Sequence, residues 1–325
     1  MKAIVYHAYG SPDVLGCEEL EKPVAAANEV LIEVRAASVN PLDWHLMRGA
    51  PYLVRMMAGL RKPKDARLGA DVAGRVEAVG RNVTRFKPGD GVFGSCRGAF
   101  AEYACAAESA VVAKPDNVTF EHAAAVPVAA FTALQGLRAQ GQMRPGQKVL
   151  INGAAGGVGT FAVQLAKGFG AEVTGVCSTR NVDLVRSIGA DRAIDYTQED
   201  FTQGAQRYDL ILDCMGNHSF SARRRVLSPR GICVMVGGPN GGPWIGPFAG
   251  LLKAHALSRF VSESFVMLFA KRSLEDLTLL RDLMAAGNLT PVIDSRYTLS
   301  DVADAIRHLE AGHARGKVII TISRD

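Results

Sequence analysis

The run GAAGGVG, Gly153 to Gly159, follows the strand-like KVLIN and opens the helix-like pattern GVGTFAVQLAKGFG. Glycines at that junction allow a tight turn, a close approach of the backbone to a diphosphate, and close packing of helix on strand. Unpaired N–H groups at the helix start then face phosphate oxygens. The stretch Gly153, Ala154, Ala155, Gly156, Gly157, Val158 and Gly159 therefore reads as a dinucleotide cradle. A chain preferring NAD would close the next strand with Asp or Glu, to accept hydrogen bonds from the adenosine ribose. Here EVTGV is followed by Cys177, Ser178, Thr179 and Arg180. No carboxylate stands there to repel a 2′-phosphate, two hydroxyls can donate to it, and Arg180 can supply charge, so the expected cofactor is NADP(H). Tyr196, closing the third strand, either flanks the adenine or packs. Cys214, Met215 and Gly216 after the fourth strand, and Gly237 and Gly238 after the fifth, are expected to offer main-chain groups to the ribose and nicotinamide.

These residues need elements to hold them. Up to about Pro115 the chain shows short β-rich runs separated by turn residues: KAIVYHA, EVLIEVRAASV, DVAGRVEAVG, AFAEYACA, AVVAKP. An Ala-rich helical stretch, Phe120 to Arg138, follows, with Pro127 breaking it. Beyond it apolar strands alternate with amphipathic helices, the texture of a doubly wound parallel sheet. The fold class is thus α/β, and 325 residues suit two domains.

The net charge of +5 comes from scattered Lys and Arg, with knots at Arg61 to Arg67 and Arg223 to Arg225 that read as solvated faces. No nucleic-acid partner is expected. Six cysteines without a C-x-x-C pair read as reduced and mostly buried, which with the lack of a signal-peptide pattern suggests the cytoplasm. Residues 231–252 lack charge, but seven glycines and three prolines favour a pocket-bordering loop over a membrane span. Trp244 and Phe248 in that loop are candidates for stacking on flat substrates.

The glycine turn, with PGDGVFG (Pro88 to Gly94), GAFAEY (Gly98 to Tyr103), AAVPVAAFTAL (Ala124 to Leu134) and GHARGKVIITI (Gly312 to Ile322), resembles the medium-chain dehydrogenase/reductase superfamily from end to end. Its zinc-independent quinone oxidoreductase branch, with zeta-crystallin-like members, is most similar. The resemblance implies a GroES-like catalytic domain, residues 1–122 and 289–325, around a Rossmann domain, residues 123–288, with the site in the cleft and a homodimer near Arg259 to Leu268. It also implies that Thr132, Phe265, Val266 and Lys317 approach the cofactor. Where zinc-dependent members carry a Cys and a Gly-His-Glu turn, this chain has Asn40 in ASVNPLDWH and Ala70-Asp71 in GADVAG, so no tetrahedral catalytic metal is expected.

Without a Lewis acid, hydride goes to a carbon that is already electron-poor, in a quinone or an enone or enal. Asn40 either donates its amide to the carbonyl oxygen or orients the nicotinamide ribose. Asp43 either holds Asn40, a ribose hydroxyl or a water, or belongs to an ordinary turn into a helix. Tyr52 and His45 are possible proton donors, with solvent as the alternative. An NADP-linked alcohol dehydrogenase and an NADPH-binding regulatory protein are the rival readings.

Overall fold

The structure is a computed structural model and describes residues 1–237 and 262–322. Gly238, Trp244, Phe248 and the first part of the expected dimer segment lie outside the described residues. The chain forms two compact units, Met1–Phe131 with Arg272–Asp325, and Thr132–Lys271. Both boundaries differ from the expected ones at 122/123 and 288/289. The second moves because helix α8 (Leu274–Ala285) packs on β7 (Val111–Ala113) of the first unit.

In the first unit a small sheet pairs β1 (Lys2–Tyr6) with β2 (Leu15–Glu19). The larger sheet holds β3 (Glu29–Val39), β4 (Asp71–Val79), β5 (Gly91–Ser95), β6 (Tyr103–Ala107), β7, β14 (Ile293–Thr298) and β15 (Lys317–Thr321), in the order β14-β15-β3-β4-β5-β7 with β6 also on β3. The alternating runs of the sequence become these strands because one face is buried: Ile4, Val30, Ile32, Val34, Val72, Val76, Val92, Val318 and Ile320 share one core. Helix α9 (Val302–Glu310) closes that core with Val302, Ala305 and Ile306. The last strand lies antiparallel to β3, with Val318 opposite Val39. Short helices α1 (Pro41–Arg48) and α2 (Leu53–Ala58) follow β3. Pro127 splits the Ala-rich stretch as expected, into α3 (Phe120–Ala124) and α4 (Pro127–Gln135), for it can start a helix but not continue one.

The second unit is a six-stranded parallel sheet of β8 (Lys148–Asn152), β9 (Glu172–Cys177), β10 (Arg192–Asp195), β11 (Tyr208–Asp213), β12 (Leu227–Met235) and β13 (Ser264–Met267). Its order, β10-β9-β8-β11-β12-β13, reverses direction between β8 and β11, and α5 (Gly157–Gly168), α6 (Val182–Ser187) and α7 (Phe220–Arg225) cross over it. In open sheets of this kind ligands bind beyond the carboxyl ends of the strands at that reversal. The strand ends Asn152 and Asp213 are register partners there.

Candidate functional site

The cradle sits at this switch point. Gly153 takes φ +87°, a value that L side chains rarely adopt, and turns the chain out of β8. A Cβ on Gly159 would lie 2.1 Å from the Gly153 carbonyl oxygen and 2.7 Å from Ala154 Cα, so only glycine lets α5 lie this close to the turn. The first intrahelical bond runs from Thr160 N–H to the Gly156 carbonyl at 2.9 Å. The amides of Gly157, Val158 and Gly159 therefore precede the ladder, as an anion-binding helix start requires. Ala154 and Ala155 are buried behind the turn, with Ala154 N–H donating to the Val176 carbonyl at 2.9 Å. Backbone and packing here fit a dinucleotide diphosphate.

At the end of β9 Cys177 is buried, and burial pushes its thiol up to about 11, which keeps it protonated and unreactive. The Ser178 hydroxyl accepts from Asn181 Nδ2 at 3.1 Å and keeps its own hydrogen to donate. Arg180 is exposed in the turn that follows. The structure adds a group that the sequence pattern does not reveal. Asp195 closes β10 opposite Cys177, and its Oδ1 accepts from Thr197 N at 3.0 Å and Thr197 Oγ1 at 2.9 Å. Its carboxyl is held below the usual range, first by the Thr179 hydroxyl. Thr179 Oγ1 also lies 3.0 Å from Thr197 Oγ1. The expectation of a pocket rim without a carboxylate is therefore corrected, because a neighbouring strand supplies one, and Thr179 is engaged by it. Tyr196 is 59% exposed beside it.

Beyond β11, Cys214 is half-buried and Met215 exposed, and the amides of Met215 and Gly216 are held by Asp213. Gly237 N–H reaches the Asp213 carbonyl at 3.4 Å. Phe265 lies on β13 with its ring 4.1 Å from that of Phe220, and Val266 follows it, partly buried. Thr132 lies half-buried in α4. The knot Arg223 to Arg225 is not a solvated face throughout: Arg223 is buried and pairs with Asp213 at 2.7 Å, because α7 turns that residue toward the strand ends.

In the first unit, adjacent ends of β15, β3 and β4 assemble a buried polar cluster. Lys317 starts β15, Ser38 lies at the end of β3, Asn40 follows that strand as the cap of α1, and Asp71 starts β4; none is more than 3% exposed. Asn40 Nδ2 donates to Asp71 Oδ2 at 2.9 Å and to the Ser38 carbonyl at 3.2 Å. Its Oδ1 accepts from Lys317 Nζ at 2.5 Å. An amide between an ammonium and a carboxylate has only one satisfied orientation, so both of its N–H₂ hydrogens are spent and one Oδ1 lone pair remains. This arrangement removes the amide donation expected of Asn40 and keeps the ribose-orienting alternative.

Asp71 also accepts from Ser38 Oγ at 2.8 Å and Val128 N–H at 3.0 Å, with Lys317 Nζ 3.8 Å away. Burial raises the Asp71 carboxyl and lowers the Lys317 ammonium, each opposed by the other's charge. Lys317, expected at the cofactor through the resemblance, is tied to Asn40 and Asp71. Asp43 belongs to α1 as the partner of its cap: Asn40 N–H donates to Asp43 Oδ2 at 2.7 Å. Burial pushes the Asp43 carboxyl up to about 7, the Asp71 charge adds to the rise, and the Asn40 amide opposes it. Its Oδ1 closes no hydrogen bond of normal geometry, although the Gly69 amide acts on the carboxyl. Asp71 and Ser38 were missed as members; the signal was a polar residue opening a strand beside the Asn40 loop.

Among the expected proton donors, His45 is half-buried and its Nδ1 lies 2.8 Å from the Ala50 carbonyl. Only a protonated Nδ1 can bond there, and desolvation lowers the ring's pKa, so the neutral ring presents Nε2 without a proton. Tyr52 precedes α2, with the Arg55 guanidinium 4.7 Å over its ring. Among the described residues, no group of three or more His, Cys, Asp or Glu side chains could hold a metal ion, and no helix is long and apolar enough to cross a membrane.

Residues 26–116 match the family of alcohol dehydrogenase GroES-like domains, and residues 188–320 that of zinc-binding dehydrogenases. The chain is 34% identical to a chloroplast envelope quinone oxidoreductase homolog of Arabidopsis thaliana, over 98% of each chain. It is also 34% identical to a chloroplastic NADPH-dependent alkenal/one oxidoreductase of the same plant, over 98% of this chain and 79% of the relative. Among solved structures, the Escherichia coli quinone oxidoreductase complexed with NADPH superimposes with a TM-score of 0.84 at 26% identity, over 99% of this chain and 100% of that one. With the two-unit fold and the cradle in place, the chain belongs to the medium-chain dehydrogenase/reductase superfamily, in its quinone oxidoreductase branch.

Proposed function

We propose that the protein is an NADPH-dependent oxidoreductase that reduces quinones or activated alkenes such as enones and enals. One observation carries the reading: the glycine cradle opens at the switch point beside a β9 end made of Cys177, Ser178, Thr179 and Arg180 rather than an acid. The names of similar proteins support it: one is an NADPH-dependent alkenal/one oxidoreductase, and another a quinone oxidoreductase complexed with NADPH. Bound NADPH supplies the hydride.

The chain's own residues bind and orient. The amides of Gly157 to Gly159 hold the diphosphate, while Ser178 and Arg180 hold the 2′-phosphate with Asp195 nearby as a tempering charge. Asn40, locked by Lys317 and Asp71, offers its carbonyl oxygen to a ribose hydroxyl. The groups standing where zinc ligands occur in other members, Asn40 and Asp71, satisfy each other, which supports a metal-independent site. The proton comes from Tyr52 or from solvent, because His45 Nε2 carries none. Two copies pair through β13, which among the described residues is an edge strand with one neighbour.

The test is NADPH oxidation across a panel of quinones, enones and enals, with alcohol oxidation by NADP⁺ as the counter-assay. Turnover of alcohols with stoichiometric zinc, or NADPH binding without turnover on any acceptor, would overturn the reading. Light scattering decides the dimer.

A further inference from the structure

At the switch point one carboxylate takes an unusual share of the hydrogen bonds. Asp213 is the last residue of β11 and has no exposure. Its Oδ1 accepts from Asn152 Nδ2 at 2.9 Å, Met215 N–H at 3.1 Å and Gly216 N–H at 2.8 Å. Its Oδ2 takes Arg223 at 2.7 Å. The second hydrogen of the Asn152 amide goes to Asn217 Oδ1 at 3.0 Å, and Cys214 N–H closes on the Asn152 carbonyl at 3.0 Å. Asn152 is the residue from which the glycine turn departs. The Asp213 side chain therefore ties the root of the phosphate turn to the loop 214–217. The Asp213 carbonyl in turn receives Val236 N–H, at 2.9 Å, from the segment after β12.

Charge sharpens the point. An unpaired carboxylate at this position would face the anionic diphosphate and repel it, and burying it alone would be costly. Arg223 neutralises it from α7. Its neighbours in the knot point elsewhere, since Arg224 reaches Glu263 and Arg225 reaches Gln203, both at the surface.

We propose that Asp213 and Arg223 form a buried latch that holds the phosphate turn and the loop 214–217 in the single shape a dinucleotide uses, which makes both of them positioning residues for cofactor binding. The latch rests on the NADPH assignment above for its purpose, though not for its mechanics.

The experiment compares the full-length protein with Arg223→Met, Arg223→Lys, and the double variant Asp213→Asn/Arg223→Met. It reads amide hydrogen exchange without cofactor, NADPH affinity by fluorescence titration, and kcat at saturating NADPH. Arg223→Met is expected to speed exchange in both loops by about tenfold or more and to weaken NADPH by about tenfold, with kcat within about threefold of the parent. Arg223→Lys should recover part of the loss. The double variant should lose less than Arg223→Met, since the unpaired charge is gone while an oxygen still receives the two loop amides.

Unchanged exchange in either loop, or a double variant as impaired as Arg223→Met, would overturn the latch. If Arg223→Met does not fold, Asp213→Ala/Arg223→Met, which leaves the two loop amides and the Asn152 amide without their acceptor, decides against the parent through the same exchange readout, where unchanged protection of the two loops sinks the idea. A parent protein that ignores NADPH would defeat the cofactor reading, and the exchange experiment would still decide the latch.

Discussion

Asp43 couples the site to pH through its burial. Its carboxyl titrates near 3.8 when unfolded and near 7 in the folded chain, so between those values the folded state binds the extra proton. Stability from this group is greatest in acid and falls as pH rises from about 4 to about 7, by at most about 4 kcal/mol. Burial moves Asp71 the same way. Urea midpoints at pH 5 and pH 7.5 should therefore differ less for Asp43→Asn than for the parent; an equal difference would remove Asp43 as the cause. Lys317→Met leaves Asp71 buried without its counter-charge and Asn40 free to turn, with an expected loss of about 3 kcal/mol in urea unfolding and a raised KM for NADPH. Asp195 is open to solvent, so its charge is screened. Asp195→Asn should improve the preference for NADPH over NADH by about two- to fivefold, read as the ratio of the two affinities at low salt. At this scale the sequence showed which residues were polar and unusual, such as Asn40, Asp43 and Arg180. It could not show that Asn40 spends both amide hydrogens, or that Asp195 lies beside Cys177, because those facts depend on which strands become neighbours.

Elements were legible where hydrophobic period and breaker residues agree. The strand Glu29–Val39, the split at Pro127, and the strand, turn and helix from Lys148 to Gly168 follow the sequence pattern closely. The latch did not, because a basic run such as Arg223 to Arg225 has the same composition whether it faces water or a buried carboxylate. The glycine cradle gives the sharpest element-scale prediction. Gly159→Ala must push aside the Gly153 carbonyl, so NADPH affinity should drop by about tenfold or more while kcat for any bound enzyme changes little, with a stability loss of about 1–3 kcal/mol. Circular dichroism and titration check both, and retained affinity would place the diphosphate elsewhere.

Across the whole chain, the first unit is discontinuous and the second is one uninterrupted segment. That division was visible as a change of texture, from short β runs to strand and helix in alternation, but its borders were not, since α8 looks like any amphipathic helix and only its packing on β7 assigns it. Removing β15 should cost more than removing any single helix, because β14 and β3 both lose a partner and Lys317 leaves the Asn40 cluster.

Lys317 lies 277 residues beyond Asn40. During synthesis the parallel sheet can finish while that distance is still being translated, but the Ala36–Val39 end of β3 waits with one flank unpaired until β15 leaves the ribosome, β6 covering only Glu29 to Glu33 on that side. A message cut short just before codon 317 would therefore yield a product with a competent nucleotide fold and a sticky, unsealed strand, one destined for chaperones or inclusion bodies rather than for partial activity.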